Sequence, residues 1–97
     1  MIIAELAVFP TSEGASVSRF VKEVLRVIEA SGLKHETGGM ATTIEAPDWA
    51  SLWKVIEAAD AVLVHLGAAR IHIDLRVDHR LDKEATIASK KRAVGRG

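Results

Sequence analysis

Gly32-Leu33-Lys34-His35-Glu36-Thr37-Gly38-Gly39-Met40-Ala41-Thr42-Thr43-Ile44-Glu45-Ala46 contains two β-forming runs joined by a glycine pair. Paired glycines can supply the positive φ angles of a two-residue hairpin turn. With Gly38 and Gly39 as that turn, Leu33 stands opposite Ile44, Lys34 opposite Thr43 and Glu36 opposite Ala41. Side chains alternate across a strand, so Leu33, Thr42 and Ile44 share one face while Lys34, Thr43 and Glu45 share the other. One face is mostly apolar and asks for a covering layer; the other carries charge.

On the N-terminal side of this hairpin, Ser31-Gly32 closes a helix expected over about residues 17 to 30. Val17, Val21, Val24, Leu25 and Ile28 recur at three- and four-residue spacing, and Arg19, Lys22, Glu23, Arg26 and Glu29 take the wet side. Ser16 is the expected N-cap, after a loop-like stretch from Pro10 to Ala15. Residues 2 to 9 form an apolar run that Pro10 ends, as in a strand buried within a sheet. Its one charge, Glu5, shares a face with Ile3, Ala7 and Phe9. An acid there needs a partner, water or a ligand.

On the C-terminal side, Pro47 breaks the chain and Asp48 is the expected cap of a second helix. Leu52, Ile56, Ala59, Leu63 and Leu66 give that helix an apolar stripe, and Gly67 ends it. Residues 70 to 78 alternate without a slip, with Ile71, Ile73, Leu75 and Val77 inward and Arg70, His72, Asp74, Arg76 and Asp78 outward. A short helix is expected from about Glu84 to Val94.

The order β-α-β-β-α-β plus a terminal helix is the ferredoxin-like, α+β arrangement, read as one domain over residues 1–97. Both main helices should cover one face of a four-stranded antiparallel sheet. The opposite face, with Glu5, Thr43, Glu45, His72, Asp74 and Arg76, is expected to lie open in a single subunit. Solvent, a second subunit or a ligand must then meet it.

Composition narrows the function. The 97 residues carry thirteen basic and thirteen acidic side chains and no cysteine. Zero net charge argues against a dedicated nucleic-acid binder, and the lack of thiols excludes disulfides and thiolate metal sites. The amino terminus lacks a basic n-region, and no run approaches the ~20 apolar residues of a membrane span. The expectation is a cytoplasmic chain without nucleic-acid or membrane partners, whose neutrality eases self-association.

Glu45 ends the Thr42–Glu45 run between small neighbours, Ala41 and Ala46. It can bind a cation or an amidine-like donor pair, or simply pair with Lys34, Arg70 or Arg76. His72, Asp74 and Asp78 share a strand face, but a metal needs further ligands and a cross-strand ionic ladder with Arg70 and Arg76 is the better account of them; neither metal nor cofactor is expected. Ser12, Gly14, Ser16 and Ser18 precede no lysine in P-loop spacing. Trp49 and Trp53 stand one turn apart, as in packing across a helix edge. Lys90-Lys91-Arg92 lacks the interleaved aromatics of a nucleic-acid platform. No set of nucleophile, base and orienting group stands out, so a binding protein is expected rather than an enzyme.

Four short pieces then agree in order and spacing: Ser16-Val17-Ser18, Ser31-Gly32-Leu33-Lys34, Gly39 through Glu45, and Gly67-Ala68-Ala69-Arg70 leading to Asp78-His79-Arg80. Together they resemble the thiamine-binding, YkoF-like family of small ferredoxin-like proteins. The resemblance implies a cytoplasmic binder of thiamine or a related pyrimidine, assembled through its sheets into homodimers or homotetramers. It carries a ligand role to Thr42, Thr43 and Glu45 and to Ser16 and Ser18. Glu5 or Glu45 would complement the thiazolium cation or the pyrimidine edge, Thr43 would offer a hydroxyl, and Phe9 or Trp49 would stack on a ring. The alternative is a structural or regulatory homo-oligomeric module without a small ligand. A third reading is a dimeric enzyme using the sheet cavity, with His72 as base.

Overall fold

The computed structural model describes residues 1–11 and 18–95. Its elements are β1 (Ile2–Pro10), α1 (Ser18–Ala30), β2 (His35–Thr37), β3 (Thr42–Ala46), α2 (Trp49–His65), β4 (Ile71–His79) and α3 (Ile87–Ala93). The strands form one antiparallel sheet in the order β2-β3-β1-β4, the ferredoxin-like arrangement. The expected cap Ser16 lies outside the described residues.

β1 is central because it is apolar on both faces. Ile2, Ala4, Leu6 and Val8 join Ile44 and Ala46 of β3 under the two long helices. α1 contributes Phe20, Val24 and Ile28, one side chain per turn. Val21, expected on that stripe, is 37% exposed. Phe20 takes the inward place because an aromatic ring removes more apolar area from water than a valine, and the Arg19 guanidinium lies 4.5 Å over that ring. α2 buries Leu52, Val55, Ile56, Ala59 and Leu63. Asp48 caps it as expected, its Oδ1 accepting from the Ser51 N–H at 2.8 Å. Gly67, at φ +89°, turns the chain out of the helix.

The hairpin departs from its expected register. His35 pairs with Ile44, Glu36 with Thr43 and Thr37 with Thr42. The loop therefore has four residues, 38 to 41, closed by the Gly38 N–H donating to the Ala41 carbonyl at 2.9 Å. Neither Gly38 nor Gly39 has a positive φ, because the longer loop removes the need for a mirror-image two-residue turn. It also leaves the Thr37 and Thr42 hydroxyl oxygens 3.3 Å apart. The displacement is two residues, so every side chain keeps its expected face.

A second difference concerns the open face, which α3 covers at one end. Ile3, Ala85 and Ile87 are buried there, apart from the main core cluster. The Ile87 N–H donates to Glu45 Oε1 at 2.6 Å, Lys91 Nζ lies 3.2 Å from Glu36 Oε1, and Lys90 pairs with Asp78. α3 is itself capped by a reciprocal pair, Thr86 and Ser89. The open face that remains runs from Glu5 toward Phe9.

Candidate functional site

The pairing register lines up one polar row across that remaining face: Glu36, Thr43, Glu5 and Arg76, one from each strand. Glu5 and Arg76 are directly opposite, yet among the described residues neither forms an ion pair or side-chain hydrogen bond. Two charged heads thus stand uncommitted at the centre of the sheet. They line an open depression of about 420 Å³ with Ala7, Met40, Ala41 and Asp74.

The depression adjoins a second cavity because the strands differ in length. β1 has nine residues, but β3 pairs only with Ile2 to Leu6. From Ala7 onward β1 faces the 38–41 loop instead of a strand, which leaves a notch in the sheet. Beneath it lies a cleft of about 150 Å³ between the hairpin loop, Phe9, Thr42 and the α1 residues Val21 and Leu25. Ala7, Met40 and Ala41 border both spaces. A strand without a ladder partner presents backbone polar groups to whatever enters. The arrangement therefore offers an apolar slot opening beside a carboxylate, with room for a flat ring carrying a cationic end.

Phe9 and His72 form the far rim, their rings stacked at 5.1 Å with planes 28° apart. His72 Nε2 lies 3.1 Å from Asp74 Oδ1, so that pair is an exposed contact within one strand. Among the described residues no group of three or more His, Asp or Glu could hold a metal ion. Asp78 is held below the usual carboxylate range by its hydrogen bond to Lys90, at the end covered by α3.

The expected ligand residues divide. Glu5 and Thr43 lie on the open face, and Phe9 and Thr42 border the cleft. Thr42 is buried on the helix side, so it reaches a ligand only through the notch. Ser18 is exposed at the start of α1, on the opposite layer from Glu45. Glu45, on the polar face as expected, is 8% exposed and lies under α3, where one of its oxygens takes the Ile87 N–H. Trp49 is at the other end of the molecule, edge-on to His79 at 5.5 Å, and cannot share a ring with Phe9. Ala7, Met40 and Ala41 were not among the expected ligand residues. Their only signal is that the second strand of the hairpin is too short to span an apolar run of eight.

Comparison with known proteins places this geometry among relatives. A family model described as thiamine-binding protein matches residues 4–95. A UPF0045 protein of Methanocaldococcus jannaschii is 35% identical over 94 residues, spanning 97% of this chain and 92% of that one. Its crystal structure superposes with a TM-score of 0.86, with 38% identity over the superposed residues and coverage of 98% and 96% of the two chains. A Thermotoga maritima structure, provisionally named for thiamine biosynthesis or salvage, superposes with a TM-score of 0.82 over 96% of this chain and 97% of that one. At 20% identity that likeness is one of fold.

Proposed function

This chain belongs to the thiamine-binding protein family, and on that premise we propose that it binds thiamine or a related pyrimidine in the notch. The supporting observation is the pair of adjoining spaces that share Ala7, Met40 and Ala41, one apolar and one bearing the uncommitted carboxylate of Glu5. In this reading the pyrimidine enters the cleft beside Phe9 and Thr42. Glu5 meets the cationic ring or the amino-pyrimidine edge, and Thr43, next to it in the polar row, adds a hydroxyl. Glu45 acts indirectly by holding α3 across the end of the same face. Ser18, at the start of α1 on the helix side, borders neither space.

The depression is open, and a charge-assisted hydrogen bond reaches its value of roughly 1.5–3 kcal/mol only where water is excluded. A homo-oligomer whose second subunit covers the open face supplies that exclusion. We therefore read the protein as an oligomeric cytoplasmic binder without catalytic chemistry. Calorimetry with thiamine and with its pyrimidine portion tests the reading. Heat is expected with both ligands, and Glu5→Gln should weaken binding of thiamine at least about tenfold, the equivalent of one charge-assisted contact. The burial of Glu45 beneath α3 favours a second reading, a structural interaction module. The absence of heat at millimolar ligand, with the protein folded, would leave that module as the account.

A further inference from the structure

The two long helices cover one face of the sheet, and the valley between them is not filled along its whole length. Where the last turn of α1 meets the first turns of α2, the facing side chains are short: Ala30 and Ser31 on one side, Ser51 and Ala58 on the other. Side chains of that size mesh poorly as ridge into groove. A cavity of about 460 Å³ remains, larger than either space at the notch, and it shares no lining residue with them. Its floor is apolar, made by Val27, Leu33 and Val55. Val55 is 3% exposed and belongs to the core cluster, against which Leu33 also packs.

The polar groups on the walls are unequal. The Ser31 hydroxyl is committed, donating to the Ile28 carbonyl at 2.5 Å and accepting from the Leu33 N–H at 3.1 Å, which holds Leu33 in the floor. Among the described residues, Lys54 is the one charged group lining the cavity, and it makes no ion pair or side-chain hydrogen bond. Its ammonium is therefore free to meet a ligand at the rim of an apolar trough. A cavity of this size, mostly apolar with few polar groups, has the character of a small-molecule site.

We propose that this valley binds a straight-chain carboxylate, the anion of a medium-chain fatty acid, with its chain between α1 and α2 and its carboxylate at Lys54. A single ammonium matches a single negative charge; a phosphate dianion would call for further donors that the wall lacks. The same ammonium repels a cation such as thiamine, so the ligand class is opposite in charge to that of the notch. Length follows from the helix. From Ser51 to Ala58 the axis of α2 rises about 10 Å, the span of an extended chain of about eight carbons. The proposal is independent of what the notch binds, and it is tested without thiamine.

Titration of the folded chain with sodium butanoate, hexanoate, octanoate and dodecanoate, below micelle-forming concentrations and followed by methyl NMR, supplies the test. Octanoate should saturably shift the methyl signals of Val27, Leu33, Val55, Ala30 and Ala58. Affinity should rise roughly two- to fourfold per added methylene up to octanoate, for half to full burial of each CH2, and level off beyond it. Lys54→Glu should weaken octanoate about tenfold, one attraction being lost and one repulsion gained at a solvent-facing charge. The same variant should admit octyltrimethylammonium at the same methyls. Ala58→Leu, which fills the valley with a good helix former, should abolish the shifts without lowering stability in urea. Shifts spread equally over exposed apolar side chains such as Met40, Trp53 and Leu81 would overturn the proposal. So would octanoate affinity unchanged in Lys54→Glu. Binding to phosphatidylglycerol vesicles without any response to free octanoate would also overturn it, in favour of a membrane lipid.

Discussion

Glu45 shows how far a single residue can be read from its neighbours in sequence. Alternation correctly puts its side chain on the polar face of β3, and nothing local tells what meets it there. Its partner is the backbone N–H of Ile87, 42 positions away, at 2.6 Å. A buried carboxylate accepting from the first turn of a helix satisfies an orphan donor as well as itself. Glu45→Ala should therefore destabilise the protein by about 1–3 kcal/mol, through the unsatisfied Ile87 amide and the vacated space. Glu45→Gln, which keeps an acceptor oxygen, should cost less. Hydrogen exchange of the α3 amides checks this: both variants should speed exchange there, with Ala ahead of Gln. Unchanged α3 protection in Glu45→Ala would reject the anchoring role.

Among the elements, those with strong local signals follow the sequence closely. α2 is announced by Pro47-Asp48, an apolar stripe and Gly67, and it runs from Trp49 to His65. Removing the cap with Asp48→Ala should lower stability by about 1 kcal/mol in urea denaturation, with an unchanged m-value. α1 is legible in extent but not in rotation, because Val21 and Phe20 both suit an apolar stripe and only three-dimensional packing chooses between them. α3 is legible as a helix, whereas its seat on the polar face depends on distant groups, Glu36, Glu45 and Asp78. That seat has a pH signature. The Lys90 contact lowers the Asp78 pKa in the folded state, so its contribution is complete above the ordinary carboxylate value of about 4 and is lost as pH falls through the lowered folded value. NMR amide signals of residues 87–93 should shift and broaden below pH about 4, while in Asp78→Asn the tether is already absent at neutral pH and the acid-dependent part shrinks.

For the whole molecule, the order of elements and the two faces of every strand were within reach of the sequence, because periods of 2 and 3.6 survive errors in register. The two-residue displacement of the hairpin shows this directly, since no side chain changed face. The notch was out of reach. It arises because β1 continues for four residues past the end of its pairing with β3, and strand lengths relative to one another are set by loop geometry and packing. Seven of the eight expected ligand residues fall among those described: Glu5 and Thr43 share the polar row, Phe9 and Thr42 border the cleft, and Glu45, Ser18 and Trp49 lie elsewhere. Packing at the base of the fold should be sensitive in the usual way: Leu52→Ala, at a fully buried position, should cost about 2–5 kcal/mol in thermal or urea unfolding. A crystal structure with thiamine soaked in bears most directly on the central claim. The account predicts ring density in the cleft against Phe9 and Thr42, with Glu5 within hydrogen-bonding distance of the ligand; ring density only away from the notch, or an empty notch at millimolar thiamine, would contradict it.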